Sequence, residues 1–316
     1  MDLDIAVLIV AYRRAENLQL ILDLCLEARV KRIYISLDGS SGEHDADDVK
    51  RTQQIAKLFN LSTGQNVEIR VNSTNVGAAR SVISGCNWAF HNEEFLIILE
   101  DDCIPNLDFF DFCRESKMFL ENDSRIYIAS GSQFAPNDFT DSEWLLSRYP
   151  LIWGWMTSRD KWVKLWANIL MDPSLRLSQH HCSVIEDTYW RAGARRALEG
   201  YIDAWDIPIA WSIHNLNGFV LQPVQNLITN LGHDSVATHT RNDSQFLGRV
   251  TGKFAISGKE PQHNSVIDKW YRQHFYRIRF RHILSTRITK FMDRLNINRK
   301  VRHSLLEFLI EIKLET

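Results

Sequence analysis

Residues Phe95 to Asp102 read FLIILEDD: five apolar side chains run directly into three consecutive carboxylates, Glu100, Asp101 and Asp102. An Ile- and Leu-rich run of this length is the pattern of a fully buried strand. An unpaired charge inside such a core is very costly, so the acids have to stand where the strand emerges. In an open α/β sheet that place is the crevice at the carboxyl ends of the strands, where ligands bind. Clustered hard oxygen donors suit Mg²⁺ or Mn²⁺, which commonly bridge to substrate phosphates. The competing description is a solvated acidic turn ahead of a helix starting near Asn106, whose N-terminus favours acids. That description leaves unexplained why the acids follow so apolar a strand.

Around this segment, strand and helix patterns alternate. Ile5–Ala11, Arg32–Leu37, Val67–Val71, Phe95–Leu99 and Arg125–Ala129 read as strands, and Glu16–Ala28, Asp47–Phe59, Ala78–Phe90 and Leu107–Leu120 as helices. Alternation at this spacing predicts βαβ units and a mainly parallel sheet flanked by helices. After Ser130 the regularity breaks into an aromatic stretch, Pro150–Trp166, with helical patterns at Ile185–Leu198 and Ile207–Asn215 and a short strand at Phe219–Gln222. Gly258–Asn264 is polar and carries Gly and Pro, the composition of a linker.

The net charge of the 316 residues is −2, and it is unevenly spread. Lys269 to Arg302 holds eleven Lys or Arg and one acid, Asp293. That segment mixes its Arg with Trp, Tyr, Phe, Ile and Leu at helical spacing, the pattern of a basic amphipathic helix on an anionic membrane surface. A helix packed on the body with a solvated basic face is the alternative, and no nucleic-acid recognition motif is present. Five cysteines, Cys25, Cys86, Cys103, Cys113 and Cys182, lack CxxC spacing, which argues against a disulfide framework or a zinc site and fits a reducing cytosol. The apolar run Ile5–Tyr12 is too short to span a membrane and is preceded by acids, so neither secretion nor membrane insertion is expected.

Four further constellations accompany the acids. The first strand ends in Ala11-Tyr12-Arg13-Arg14 without a Gly-rich phosphate loop, which disfavours dinucleotide-binding and P-loop proteins. Tyr12 can stack on a base and Arg14 can pair with a diphosphate, although both also suit a surface strand end. Asp38 ends the second strand, where a carboxylate can accept from a ribose, or simply make an Asp-Gly turn. Asn75-Val76-Gly77 opens the helix that carries Arg80, and a helix N-terminus attracts anions. Asp203 and Asp206 precede a helix, where the plain role of Asp206 is an N-cap carboxylate. His239 lies in a loop-like ATHT segment and is either structural or the completion of a metal site begun by the acids.

Taken together, the strand–Asp-Gly, Asn-x-Gly and apolar strand–Glu-Asp-Asp patterns resemble GT-A-fold, nucleotide-sugar-dependent glycosyltransferases. IILEDDCIPNLDFFDFC, SRYPLIWGWMTSRDKW, GYIDAWDIPIAWSIHNLNG and NLITNLGHDSVATHT are similar to bacterial family 2-type enzymes of surface-polysaccharide assembly, and more distantly to N-acetylglucosaminyltransferases with a Glu-Asp-Asp motif. The resemblance spans about residues 4 to 242.

What it implies is a metal-dependent, inverting transfer of a hexosyl or N-acetylhexosaminyl unit from a nucleotide-diphosphate sugar, UDP by family habit, to a saccharide or lipid-linked saccharide in polysaccharide or lipopolysaccharide synthesis. The alternative is a non-catalytic carbohydrate- or nucleotide-binding protein on the same fold. The resemblance assigns Asp102 and His239 to Mn²⁺ or Mg²⁺, and Asp206, with Asp203 beside it, to catalysis. Ala11, Tyr12, Arg14, Asp38, Asn75, Gly77, Arg80, Glu100 and Asp101 fall to the nucleotide, and Trp153-Gly154-Trp155 to the acceptor. With the linker composition near Gly258–Asn264 and the basic pattern beyond it, the expected organisation is a catalytic domain over 1–262, with a nucleotide-binding half (1–130) and an acceptor half (131–262), and a basic helical tail over 263–316. The expected location is cytoplasmic, peripheral on the inner face of the cell membrane.

Overall fold

A computed structural model describes residues 2–64, 66–136, 144–171, 175, 183–232, 251–255, 258 and 260–278. His239, Cys182 and the basic segment from 279 onward lie outside the described residues. The elements are β1 (Ala6–Ala11), α1 (Ala15–Glu27), β2 (Arg32–Leu37), α2 (Ala46–Thr63), β3 (Asn66–Val71), α3 (Ala78–Ala89), β4 (Phe95–Glu100), β5 (Cys103–Pro105), α4 (Leu107–Asn122) and β6 (Ile126–Ser130). They continue as β7 (Trp144–Ser147), β8 (Trp155–Ser158), α5 (Arg159–Met171), α6 (Val184–Leu198), α7 (Asp206–Asn215), β9 (Phe219–Pro223), β10 (Ile228–Asn230), β11 (Gln262–His263) and α8 (Ser265–Trp270).

The nine-stranded sheet has the order β11-β7-β9-β6-β8-β4-β1-β2-β3. β1, β2, β3, β4, β6 and β9 run one way, while β8, β7 and β11 run against them. The architecture is therefore mixed α/β with a mostly parallel sheet, as the alternation of patterns predicts. Both faces are covered, and the strands show why. Val7, Ile9, Ile33, Ile35, Ile97 and Leu99 face one core, which α1, α2 and α4 close with Leu18, Ile21, Phe59 and Phe112. Ala6, Leu8, Tyr34, Leu96 and Ile98 face the other, closed by α3, α5, α6 and α7 with Val82, Trp162, Trp190 and Trp211. A period of two splits each apolar run between the two layers, so β1 and β4 stay apolar on both faces until Glu100, where β4 leaves the sheet.

Helix starts follow local chemistry. Asn106 caps α4 by accepting from the Phe109 amide (3.0 Å), and Ser183 with Glu186 forms a capping box on α6. Five strands are absent from the sequence reading. β5, β10 and β11 have three, three and two residues, too few to show a period of two. β7 and β8 carry Trp-rich runs inside the irregular region.

The linker assigned to Gly258–Asn264 and the tail boundary at 262/263 are corrected by the packing. Gln262 and His263 pair with Leu145 and Leu146 of β7. Asn264 then caps α8 through the amides of Val266 and Ile267. Ile267 and Tyr271 are buried in the second core, and the Asp268 carboxylate accepts from the Ser147 hydroxyl (2.7 Å) and the Arg148 amide (3.0 Å). Apolar spacing that suits a membrane face here serves the protein's own core. Among the described residues, no helix is long and apolar enough to cross a membrane, and Cys25, Cys86, Cys103 and Cys113 are free and buried.

Tyr271 is fully buried, and its hydroxyl donates to the Gln133 and Gln222 side chains. Tyr271→Ala is expected to lower the unfolding free energy by about 3–5 kcal/mol in a urea titration. A loss below about 1 kcal/mol would return residues 263–278 to a dispensable appendage.

Candidate functional site

The site lies at the carboxyl edge of β1 and β4. Glu100 is the last residue of β4, still in register with Val10 of β1. Asp101 follows, 4% exposed. Its amide donates to the Val10 carbonyl (3.1 Å), and its carboxylate accepts from the Tyr12 amide (2.8 Å) and Arg14 Nη1 (2.8 Å). The middle acid is thus a strut tying the end of β4 to the turn after β1. Burial pushes the Asp101 proton affinity up, and the Arg14 guanidinium opposes it. Glu100 is pushed well above the usual carboxylate range, first by burial and then by the charges of Asp102, Asp101 and Asp206.

Asp102 is differently placed. Its side chain is 24% exposed and lies 3.6 Å from Arg14 Nη1. The Cys103 thiol donates to its Oδ1 (3.2 Å), and its carbonyl accepts from the Leu231 amide (2.8 Å). β5 and β10 form a small antiparallel ladder that brings Asn230, Leu231 and Gly232 against the acid. A Cβ at position 232 would fall 2.5 Å from Asp102 Oδ2, so only glycine permits this approach. Asn230 Oδ1 fixes that glycine by accepting from its amide (2.7 Å). Cys103, Asn230 and Gly232 were missed as site residues; the segment holding the latter two was flagged only for its later histidine.

The opposite wall comes from α7 and β8. Trp205 is buried and stacks on Trp155, with centroids 5.2 Å apart and planes 25° from parallel. That stack fixes the first residue of α7, Asp206, whose charge acts on Glu100. The predicted N-cap is displaced by one, because Trp205 holds the cap position. β8 pairs antiparallel with both β4 and β6, which carries Trp153-Gly154-Trp155 to the carboxyl edge. The Gly154 carbonyl accepts from the Gly131 amide (2.8 Å), and the Trp153 carbonyl from the Ser132 hydroxyl (2.7 Å). Glu100, Asp101, Asp102, Arg14, Tyr12, Asp206 and the Trp153–Trp155 turn are therefore brought together, with Ala11 buried at their base.

Other assigned residues do different work. The Asp38 carboxylate accepts from the amides of Gly39, Val76 and Gly77 and from the Asn72 amide side chain, at 3.0–3.3 Å. Those contacts fill the acceptor capacity of a carboxylate and lock the 72–77 loop, so a ribose contact would have to displace them. Asn75 donates to the Gly39 carbonyl within that loop (3.3 Å). The Tyr12 hydroxyl is taken by Asp45, which also accepts from Ser40 and Ser41.

The N-terminus of α3, read as an anion site, already holds an anion from the chain. Asp203 Oδ2 accepts from the Ala78 amide (2.7 Å) and Oδ1 from the Ala79 amide (2.9 Å). Gly77 at φ +86 makes room for it, since a Cβ there would lie 2.7 Å from Asp203 Oδ2. Asp203 thereby caps a distant helix, and Arg80 stands exposed on that helix.

Among the described residues, no group of three or more His, Cys, Asp or Glu side chains forms a ready metal cage. The donor set nevertheless fits a cation of the Mg²⁺ or Mn²⁺ class, which is commonly held by one or two carboxylates, water and substrate phosphate. Asp101 spends its oxygens on Tyr12 and Arg14, whereas Asp102 keeps a partly exposed carboxylate at the mouth of the crevice.

No family model matches the chain, and no curated protein matches it. Solved structures do. UDP-glucose pyrophosphorylase complexed with UDP-glucose is similar at 9% identity and a TM-score of 0.36, over 71% of this chain and 90% of that one. HddC from Yersinia pseudotuberculosis is similar at 15% identity and a TM-score of 0.32, over 49% of this chain and 77% of that one. Glucosyl-3-phosphoglycerate synthase from Mycobacterium tuberculosis, solved with Mn²⁺, UDP and phosphoglyceric acid, is similar at 14% identity and a TM-score of 0.31, over 49% of this chain and 56% of that one.

Removing the tertiary cap should cost stability. Asp203→Ala is expected to lower the unfolding free energy by about 0.5–2 kcal/mol, seen as a lower midpoint in thermal denaturation. An unchanged midpoint would mean that the carboxylate does not cap α3 in solution.

Proposed function

We propose that this protein transfers a sugar from a nucleoside-diphosphate sugar, with UDP the first nucleotide to test, to a hydroxyl of a saccharide or lipid-linked saccharide acceptor. The observation that carries the reading is the acid rim at the carboxyl edge of β1 and β4: a buried strand delivers Glu100, Asp101 and Asp102 there, and Asp101 is tied to the Tyr12–Arg14 turn. Burial first, and then the charges of Asp102, Asp101 and Asp206, hold Glu100 above the usual carboxylate range. The sheet order, with antiparallel β8 between β4 and β6, is compatible with the GT-A architecture that the motifs resemble.

Each residue then has a task. Asp102, with the amide-fixed Gly232 behind it, would hold Mn²⁺ or Mg²⁺; His239 is a second candidate for that role. When bound, the cation supplies charge neutralisation for the departing diphosphate. Asp101 keeps the Tyr12–Arg14 turn and the acid rim in one geometry, so the electrostatic environment is set before substrate arrives. Asp206 takes the proton of the acceptor hydroxyl, a role that requires a carboxylate within hydrogen-bond reach of it. With one base and no second carboxylate assigned as nucleophile, the transfer is a single displacement with inversion. Trp153 lines the acceptor side. Synthesis of a surface polysaccharide, and a membrane-surface location served by the basic segment from 279 onward, complete the proposal.

Two variants test it. Asp206→Asn is expected to reduce turnover by about 10²–10⁴-fold while UDP affinity in Mn²⁺ stays near wild type. Full activity in that variant would remove Asp206 as the base. In a thermal-shift panel of nucleoside diphosphates, wild-type protein should be stabilised by at least one nucleotide with Mn²⁺ or Mg²⁺. Asp102→Ala should lose that metal-dependent shift, and its retention would place the cation elsewhere.

A further inference from the structure

The last described segment of the chain is built more like part of a site than like a tail. Residues Tyr271–Phe275 form a single π turn, a rare geometry that recurs at functional sites. Arg277, two residues on, adopts φ +49, a left-handed conformation uncommon for a residue with a side chain. The segment is anchored ahead of the turn and at its first two residues. Asp268 is bonded to β7, Tyr271 to Gln133 and Gln222, and Arg272 lies 3.6 Å from Glu186, which in turn accepts from the Tyr149 hydroxyl (2.5 Å).

What this rigid turn presents is aromatic. Phe275 stacks on Phe134 (5.2 Å between centroids, 22° between planes) and stands edge-on to Trp153 (6.4 Å, 74°). Phe134 is buried, whereas Trp153 and Phe275 keep partly exposed rings. Tyr276 follows, its hydroxyl bonded to the Pro150 carbonyl and subject to the charge of Asp206. The Phe275–Tyr276 pair thus packs on the Pro150–Trp153 turn, Phe275 against the Trp153 ring and Tyr276 on the Pro150 carbonyl.

We propose that the π turn Tyr271–Phe275 is one wall of the acceptor subsite, and that Phe275, paired with Trp153, is a specificity-determining residue that receives the apolar face of the acceptor sugar. This rests on the sugar-transfer reading above. A sugar ring has one face of C–H groups and a rim of hydroxyls. Two fixed, partly exposed aromatic rings offer a surface for the first, and the backbone and polar groups of the adjoining turn are within the reach of the second. A π turn anchored at three residues supplies the rigidity that such a subsite needs.

The test uses the full chain with UDP and Mn²⁺ present, and reads tryptophan fluorescence during titration with methyl glucoside, methyl galactoside and methyl N-acetylglucosaminide. At least one glycoside should give a saturable change with wild-type protein. Phe275→Leu, which keeps an apolar side chain but removes the ring, should weaken that binding about tenfold. Phe275→Tyr should restore it. The thermal shift from UDP and Mn²⁺ should be the same in all three proteins, which shows that each is folded and that the donor side is untouched. No saturable binding of any glycoside to wild-type protein, equal affinity in Phe275→Leu, or failure of Phe275→Tyr to restore it would each overturn the proposal. Absence of the UDP–Mn²⁺ shift in wild-type protein would instead strike the sugar-transfer reading itself.

Discussion

The geometry of the crevice depends on Asp101. A carboxylate that is 4% exposed is tolerated only because it accepts from the Tyr12 amide and Arg14 while its own amide completes the β1–β4 ladder. That arrangement fixes where the two flanking acids point. Glu100 stays in the strand, and Asp102 turns to the mouth of the crevice against Gly232. Loosening the strut would leave a buried charge uncompensated and free the turn after β1 at the same time, so fold and site share one interaction.

The first 130 residues were legible because their signal is long and periodic. β1, β2, β4 and the helices between them repeat apolar patterns that the two cores use on alternate residues. The triplet at the end of β4 was readable for the opposite reason, since it breaks the pattern where a buried strand has to stop. What the sequence could not show was which polar group meets which. Asp38 and Asp203 both look like site acids, yet one locks a loop and the other caps α3 from 125 residues away. Such pairings depend on tertiary approach and leave no local trace. The two- and three-residue strands β11, β5 and β10 are too short to carry a pattern, although β10 is what delivers Gly232 to Asp102.

Asp203 and Asp206, three residues apart, are placed by different interactions. Asp203 precedes the helix and is free to reach another element's amides. Asp206 begins α7 directly after Trp205, and the Trp205–Trp155 stack directs it to the acid rim. The same economy applies to the segment once read as a tail. Its aromatic residues lie in or pack against the second core through Tyr276, and most of the basic residues lie further on.

The central proposal is that Asp102 and its neighbours hold a divalent cation together with a nucleoside diphosphate, since cations of the Mg²⁺ and Mn²⁺ class are commonly held by one or two carboxylates plus substrate phosphate. The direct measurement is the electron paramagnetic resonance signal of free Mn²⁺ during titration into the protein with and without UDP and other nucleoside diphosphates. The account predicts that protein and nucleotide together deplete the free-ion signal well beyond the sum of their separate effects. Depletion by protein alone to the same extent, or no added depletion with any nucleoside diphosphate, would contradict it.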